Sequence, residues 1–364
     1  MADLFSELAI KDVRLKNRIA VSPMCQYSAV DGLANHWHLV NLGARAAGGA
    51  GLVVAEATAV SPDGRITPAD VGLWNDAQAE AYRPVARFIR QQGAAAGVQL
   101  AHAGRKASAN RPWEGDDHIE AGDPRAWETI APSDNPFGAN LPRVPRPMTE
   151  ADIARVQADF AAAARRALEA GFELVELHFA HGYLGQSFFS PLANRRGDRY
   201  GGSFENRIRF LVETFDAVRA VWPERLPLAV RLGVTDFHDG EQALEESVDL
   251  VRRLAGRGLD LIDVSMGFNT PDVAGVPWSE HGFLGPLAAR IRAASGIRAA
   301  TSWNIRDPAK ADAMIRDGQV DMVMLGKAIL ADPHWPYHAA QTLGRPRPHA
   351  VLPVQYASWL KRFS

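Results

Sequence analysis

Cysteine is almost missing from this chain: Cys25 is the only one in 364 residues. A lone thiol excludes an internal disulfide and any cysteine-held cluster. It leaves two readings of Cys25 itself, a small buried hydrophobe or a functional thiol. A strong charge of either sign is missing too. The formal net charge is -2, and no Lys/Arg run interleaves with aromatics, so neither nucleic acid nor an anionic membrane surface is the expected partner. No apolar stretch approaches the ~18 residues of a membrane span. The opening MADLFSELAIKDVRLKNRIA puts acidic residues where a secretory leader carries positive charge. A cytoplasmic enzyme acting on a small molecule is the expectation. Two motifs are also lacking: no GxGxxG follows an early strand, which weakens a Rossmann reading, and no HExxH signals a zinc hydrolase.

What is present is the composition of a globular protein with a large core, 47% hydrophobic and 23% charged. Short β-rich or apolar runs alternate with longer amphipathic segments rich in Ala, Arg and Glu, the pattern of repeated βα units around a parallel sheet. Eight such runs stand out: Arg18–Val21, Gly51–Ala55, Gly97–Leu100, Leu174–Leu177, Leu228–Leu232, Leu261–Val264, Arg298–Thr301 and Met322–Leu325. With no linker or composition shift between them, they predict one α/β domain over 1–364, a single (βα)8 TIM barrel. LAIKDVRLKNR reads as a hairpin capping the bottom of the barrel. The Pro-, Trp- and Gly-rich stretch Arg105–Pro147 reads as a long functional loop or lid after the third strand.

In such barrels the chemistry sits at the C-terminal ends of the strands. The fourth strand runs into HFAHGY, which puts His178, His181 and Tyr183 at that rim. Two histidines three apart could bind a metal, but no third ligand is signalled. Imidazole N–H groups can equally hold and polarise a carbonyl or phenolate oxygen, and a tyrosine beside them can deliver a proton. A plainer alternative is one histidine satisfied by backbone and one exposed. Arg231 in the fifth strand is a costly buried charge unless paired. Either it forms an internal salt bridge, with Glu56 or Glu176 as the candidate acids, or it stabilises negative charge on a cofactor. Gly326-Lys327 opens a helix after the eighth strand, the recurrent phosphate-binding place in these barrels. Gln99, polar in an apolar run, needs a partner: backbone, or the edge of a heterocycle.

Together, SPMCQYS, QLAHAGRKA, ELHFAHGYLGQSFFSPLANRRGDRYGGSFENRIRF, LPLAVRLG and GKAILADPHW resemble the old yellow enzyme family of FMN-dependent ene-reductases. The likeness runs from Leu4 to Phe363. Cys25, Tyr27 and the histidine pair resemble its thermophilic-like branch, and HAGRKASANRPWEGDDHI with YASWLKR resembles the bacterial xenobiotic reductases within it.

This resemblance implies non-covalent FMN over the barrel mouth. Ser22, Pro23, Met24 and Cys25 would lie along the ring system, Ala57 and Gln99 at its polar edge, and Arg231 near N1 and O2. Ser302, Trp303, Gly326 and Lys327 would hold the phosphate end. It implies reduction by NADPH or NADH, then hydride transfer from N5 to Cβ of an enone-type substrate. His178 and His181 would hold the substrate oxygen, Tyr27 and Trp303 would flank it, Tyr183 would protonate Cα, and no metal would be needed. Cys25 would tune the flavin potential and substrate binding. A homodimer or higher homo-oligomer is implied, with Trp359 reaching a neighbouring active site; otherwise Trp359 anchors a helix end on its own barrel. Two positions depart from the family: Lys327 stands where Arg is usual, and Trp303 is bulkier than in the branch at large. The rival readings are a flavin-free phosphate-binding aldolase or isomerase barrel, a zinc hydrolase, and a flavin-binding protein without catalysis.

Overall fold

The computed structural model describes residues 2–363. The chain opens with an antiparallel hairpin, β1 (Leu8–Ile10) and β2 (Val13–Leu15). Next come β3 (Ile19–Val21), α1 (His36–Ala47), β4 (Leu52–Ala59), α2 (Asp76–Gln91) and β5 (Ala95–Ala101). A long excursion carries the short pair β6 (Ile130–Ala131) and β7 (Arg146–Pro147) before α3 (Glu150–Ala170) and β8 (Leu174–Phe179). Helices α4 (Leu184–Phe189), α5 (Phe204–Arg207) and α6 (Arg209–Arg219) lead to β9 (Leu228–Thr235), α7 (Leu244–Ala255), β10 (Leu261–Met266) and α8 (Gly285–Ser295). The order ends with β11 (Arg298–Thr301), α9 (Pro308–Arg316), β12 (Met322–Leu325), α10 (Lys327–Ala331), α11 (Trp335–Thr342) and α12 (Val354–Leu360).

The parallel strands β3, β4, β5, β8, β9, β10, β11 and β12 pair in that order, and β12 returns to β3 to close the barrel. All eight expected strands are present. Apart from exposed Arg298 at the start of β11, their residues are buried on both faces, as in the unbroken patterns of β4 and β9, which is why they read as continuous apolar runs rather than alternating ones. Several continue further toward the rim than the apolar runs do, and the added residues include polar ones: Glu56 and Thr58 on β4, His178 on β8, Thr235 on β9, Ser265 on β10.

Polar side chains define where the helices start. Asn35, Asn75 and Thr149 each accept an amide hydrogen bond at the N-terminus of α1, α2 and α3 and complete a capping box. Gly171, at φ 93°, ends α3 in the left-handed conformation and lets the chain turn into β8. The hairpin lies at the end where strands begin: the Asp12 amide donates to the Arg225 carbonyl just before β9, and the Arg18 amide donates to the Leu4 carbonyl.

The excursion after β5 is pinned rather than loose. The Arg105 side chain is buried and donates to the carbonyls of Asn135 and Pro136 at 3.2 Å and of Asn269 at 2.6 Å. One guanidinium thus ties this segment to the loop after β10.

Candidate active site

A cavity of about 850 Å³ opens at the C-terminal ends of the strands. Ser22, Pro23, Met24, His181, Arg231, Ser302, Trp303, Gly326 and Lys327, supplied by the ends of β3, β8, β9, β11 and β12, all line it. Strand register brings the others alongside. Ala57 pairs with Gln99, Gln99 with Glu176, and His178 with Arg231, which pairs in turn with Asp263.

Arg231 is almost sealed from solvent, and its guanidinium faces three partners. Nη1 donates to Ser22 Oγ at 3.3 Å, Nη2 to Ser302 Oγ at 2.7 Å, and Nε stands 3.1 Å from Asp263 Oδ2. The acid beside Arg231 is therefore Asp263, not Glu56 or Glu176, because the β9–β10 register sets Asp263 directly opposite. Glu176 instead accepts from Gln99 Nε2 at 2.7 Å, and burial, followed by the charge of Asp263, pushes its carboxyl up toward the protonated form. Glu56 accepts the Gln26 amide at 2.7 Å, and its Oε1 is 3.6 Å from His38.

The histidines and the tyrosine form one cluster. The His178 ring centre is 4.9 Å from that of His181 and 5.0 Å from that of Tyr183, both edge-on. Burial first, and then the charge of Arg231, pushes both imidazoles well below their ordinary pKa, so both are neutral. The Ala180 amide donates to His178 Nδ1 at 3.3 Å, which leaves the ring proton on Nε2. His181 Nε2 lies 2.8 Å from Ser265 Oγ. Burial holds the Tyr183 phenol protonated. Cys25 is half-buried and free; burial and the Glu56 carboxyl push its thiol up, so it is a neutral thiol.

The backbone here is strained. Tyr27, His181, Phe268 and Trp303 all have positive φ, between 48° and 74°, at a cost of about 1–2 kcal/mol for each non-glycine residue. Lys106 holds two of them in place: its ammonium donates to the carbonyl of His181 at 2.8 Å and of Phe268 at 2.9 Å, over the Phe137 ring. Burial, then the charge of Arg105, lowers this lysine to about 7. Neither Lys106, Asp263 nor Ser265 is marked as a site residue by the sequence. Lys106 lies inside the quoted QLAHAGRKA motif, which was the available signal. Trp359 is apart from the cavity: it is 80% exposed on α12, so it does not anchor on its own barrel. Among the described residues, no group of three or more His, Cys, Asp or Glu side chains is placed to hold a metal ion, and no helix is long and apolar enough to cross a membrane.

The cavity fits FMN. A flavin mononucleotide needs a cation or strong donor at its pyrimidine edge, an apolar bed for the rings and a cation for the phosphate. Arg231, Met24 with Met324, and Lys327 supply these along one cavity. A Cβ placed on Gly326 would meet only Met24 Sδ, at 3.8 Å, so the space beside that backbone is open.

The model of the NADH:flavin oxidoreductase / NADH oxidase family matches residues 3–345. An NADPH dehydrogenase of Geobacillus sp. (strain WCH70) is 42% identical over 343 residues, 94% of each chain. Morphinone reductase superposes with a TM-score of 0.77 at 28% identity, over 94% of this chain and 90% of its own. An old yellow enzyme homologue from Zymomonas mobilis superposes with a TM-score of 0.75 at 24% identity, over 94% and 93%, a likeness of fold. The chain belongs to the NADH:flavin oxidoreductase / NADH oxidase family and is an FMN-dependent NAD(P)H oxidoreductase.

Proposed function

We propose that this cavity reduces the C=C bond of α,β-unsaturated carbonyl compounds, with His178 and His181 polarising the carbonyl and Tyr183 protonating Cα. The observation that carries this reading is the cluster itself: two neutral imidazoles and a protonated phenol, 5.0 Å from the nearer ring, beside a cavity that also holds Arg231 and Lys327. FMN, when bound, would supply the hydride chemistry that links NADPH or NADH to the substrate's β-carbon.

The chain's own residues do the rest. His178 offers its Nε2–H to the substrate oxygen, so charge developing there meets a donor already in place. Tyr183 gives its proton to the carbon next to that oxygen. Ser22, Pro23, Met24, Cys25, Ala57 and Gln99 would hold the flavin rings, Arg231 would balance the charge of the reduced form, and Ser302, Trp303, Gly326 and Lys327 would hold the phosphate end. Tyr27 and Trp303 bound the substrate, and Trp303 narrows the space in favour of planar enones and related xenobiotics.

The chain is read as one catalytic unit over 1–364 that works in the cytoplasm as a homodimer or larger homo-oligomer. Trp359, with Val354 and Phe363 also exposed near it, supports a role against a second copy's active site. The test is an anaerobic spectrum of the yellow protein. NADPH or NADH should bleach it and 2-cyclohexenone should restore the colour; a flavin that neither nucleotide bleaches, or that the enone cannot reoxidise, contradicts the reading.

A further inference from the structure

Ser265 lies near the end of β10, where the register with β9 shifts between Ser265 and Met266, and its side chain is fully buried. Such a bulge re-aims the residues around it. The Ser265 oxygen meets two rings. Trp303 Nε1 donates to it at 3.0 Å, and His181 Nε2 stands 2.8 Å away. Among the described residues it has no other hydrogen-bond partner.

The proton count leaves two arrangements. An indole nitrogen only donates, and a hydroxyl carries a single proton. If Nε2 of His181 carried the ring proton, it would donate to Ser265, and the buried Ser265 hydroxyl would have no acceptor, which is unfavourable. If Nε2 is bare, the Ser265 hydroxyl donates to it, Trp303 donates to Ser265, and all three groups are satisfied. Backbone geometry removes other freedom from the ring: His181 sits at φ 61°, with its amide on the Met266 carbonyl and its carbonyl on Lys106. The group is neutral, so only the tautomer is in question.

We infer that Ser265, braced by Trp303, is a positioning residue that fixes His181 as its Nδ1–H tautomer, so that Nδ1–H is the donor presented to the substrate oxygen. The two histidines then offer opposite nitrogens, Nε2–H from His178 and Nδ1–H from His181. The tautomer follows from protein contacts alone; its use on a carbonyl rests on the function proposed above.

The test uses the flavin-loaded enzyme labelled with ¹⁵N-histidine, the His181 signals being assigned by their loss in His181→Asn. The wild-type spectrum should show His181 protonated on Nδ1 and bare on Nε2. Ser265→Ala should shift it toward the Nε2–H form and weaken binding of a phenol ligand about tenfold, the effect of one hydrogen bond of ~1.4 kcal/mol. Ser265→Thr, which keeps the hydroxyl, should restore both. A wild-type His181 protonated on Nε2, or a Ser265→Ala spectrum unchanged from wild type, overturns the inference, and the first outcome needs no variant to fold. An Nδ1–H His181 in a protein that does not reduce enones would instead sink the proposed reaction and leave the tautomer standing.

Discussion

Arg231 and Asp263 face one another from adjacent strands, Nε to Oδ2 at 3.1 Å, with both side chains shut away from solvent. Neither Asp263 oxygen accepts a well-aligned hydrogen bond, so the carboxylate depends on the guanidinium's charge rather than on a fitted network. Arg231→Met should therefore destabilise the protein by about 3–5 kcal/mol, the cost of stranding a buried charge. The double variant Arg231→Met/Asp263→Leu should recover most of that loss in urea denaturation. A double variant as unstable as the single one would show that the two residues do not act as a pair.

Glu56 gives the barrel a pH dependence of known sign. Burial, and then the charge of Asp70, raises its carboxyl from an ordinary 4.5 to about 8. The folded protein thus keeps a proton that the unfolded chain has released. The stabilisation is complete below pH 4.5 and is lost as pH rises through about 8. His38, lowered by burial to about 4, works in the opposite sense but is neutral in both states above about 6.5. Between pH 6.5 and 8, wild-type stability relative to Glu56→Gln should fall by about 1–2 kcal/mol. Parallel urea titrations of the two proteins read it, and a constant difference across that range would refute the assignment.

Lys106 should matter for rate and ligand binding more than for flavin content. Its ammonium fixes the carbonyls of His181 and Phe268, two residues in the left-handed region. Lys106→Met releases both, and enone turnover and phenol affinity should each fall about tenfold, a loss of ~1.4 kcal/mol. The flavin-to-protein ratio should stay at the wild-type value. Wild-type kinetics in this variant would mean that the loop keeps its shape without the lysine.

Lys327 lines the cavity at the place proposed for the phosphate end. Lys327→Met should weaken FMN binding about 10- to 100-fold, as expected for one charge-assisted hydrogen bond. Lys327→Arg should bind at least as tightly as wild type, because its planar fork can hold two phosphate oxygens. Flavin fluorescence on dilution measures both. An unaltered dissociation constant in the methionine variant places the phosphate elsewhere.

The barrel is legible because its eight strands, apart from exposed Arg298 at the start of β11, are buried on both faces and so appear as apolar runs bounded by turns. The rim was less so, for a specific reason: the functional ends of the strands carry polar residues, which break the run. The sixth expected strand ends at Val264, whereas β10 continues through Ser265 to Met266, so Ser265 lies outside the expected element. Asp263 sat within an apolar strand, and its pairing with Arg231 follows from cross-strand register, which no local pattern encodes. Lys106 was likewise invisible as a clamp, because its acceptors are carbonyls 75 and 162 residues away. His178, His181 and Tyr183 stand out because they are close in sequence, at and just past the end of one strand.

The central claim is the division of labour in that stretch, with the imidazoles holding an oxygen and Tyr183 giving a proton. Stopped-flow absorbance of Tyr183→Phe, following the two half-reactions separately, tests it most directly. Reduction by NADPH should proceed within about twofold of wild type, while reoxidation by 2-cyclohexenone should slow by about 10²–10⁴, the usual worth of a positioned general acid. Equal slowing of both halves, or an unslowed reoxidation, would contradict the account.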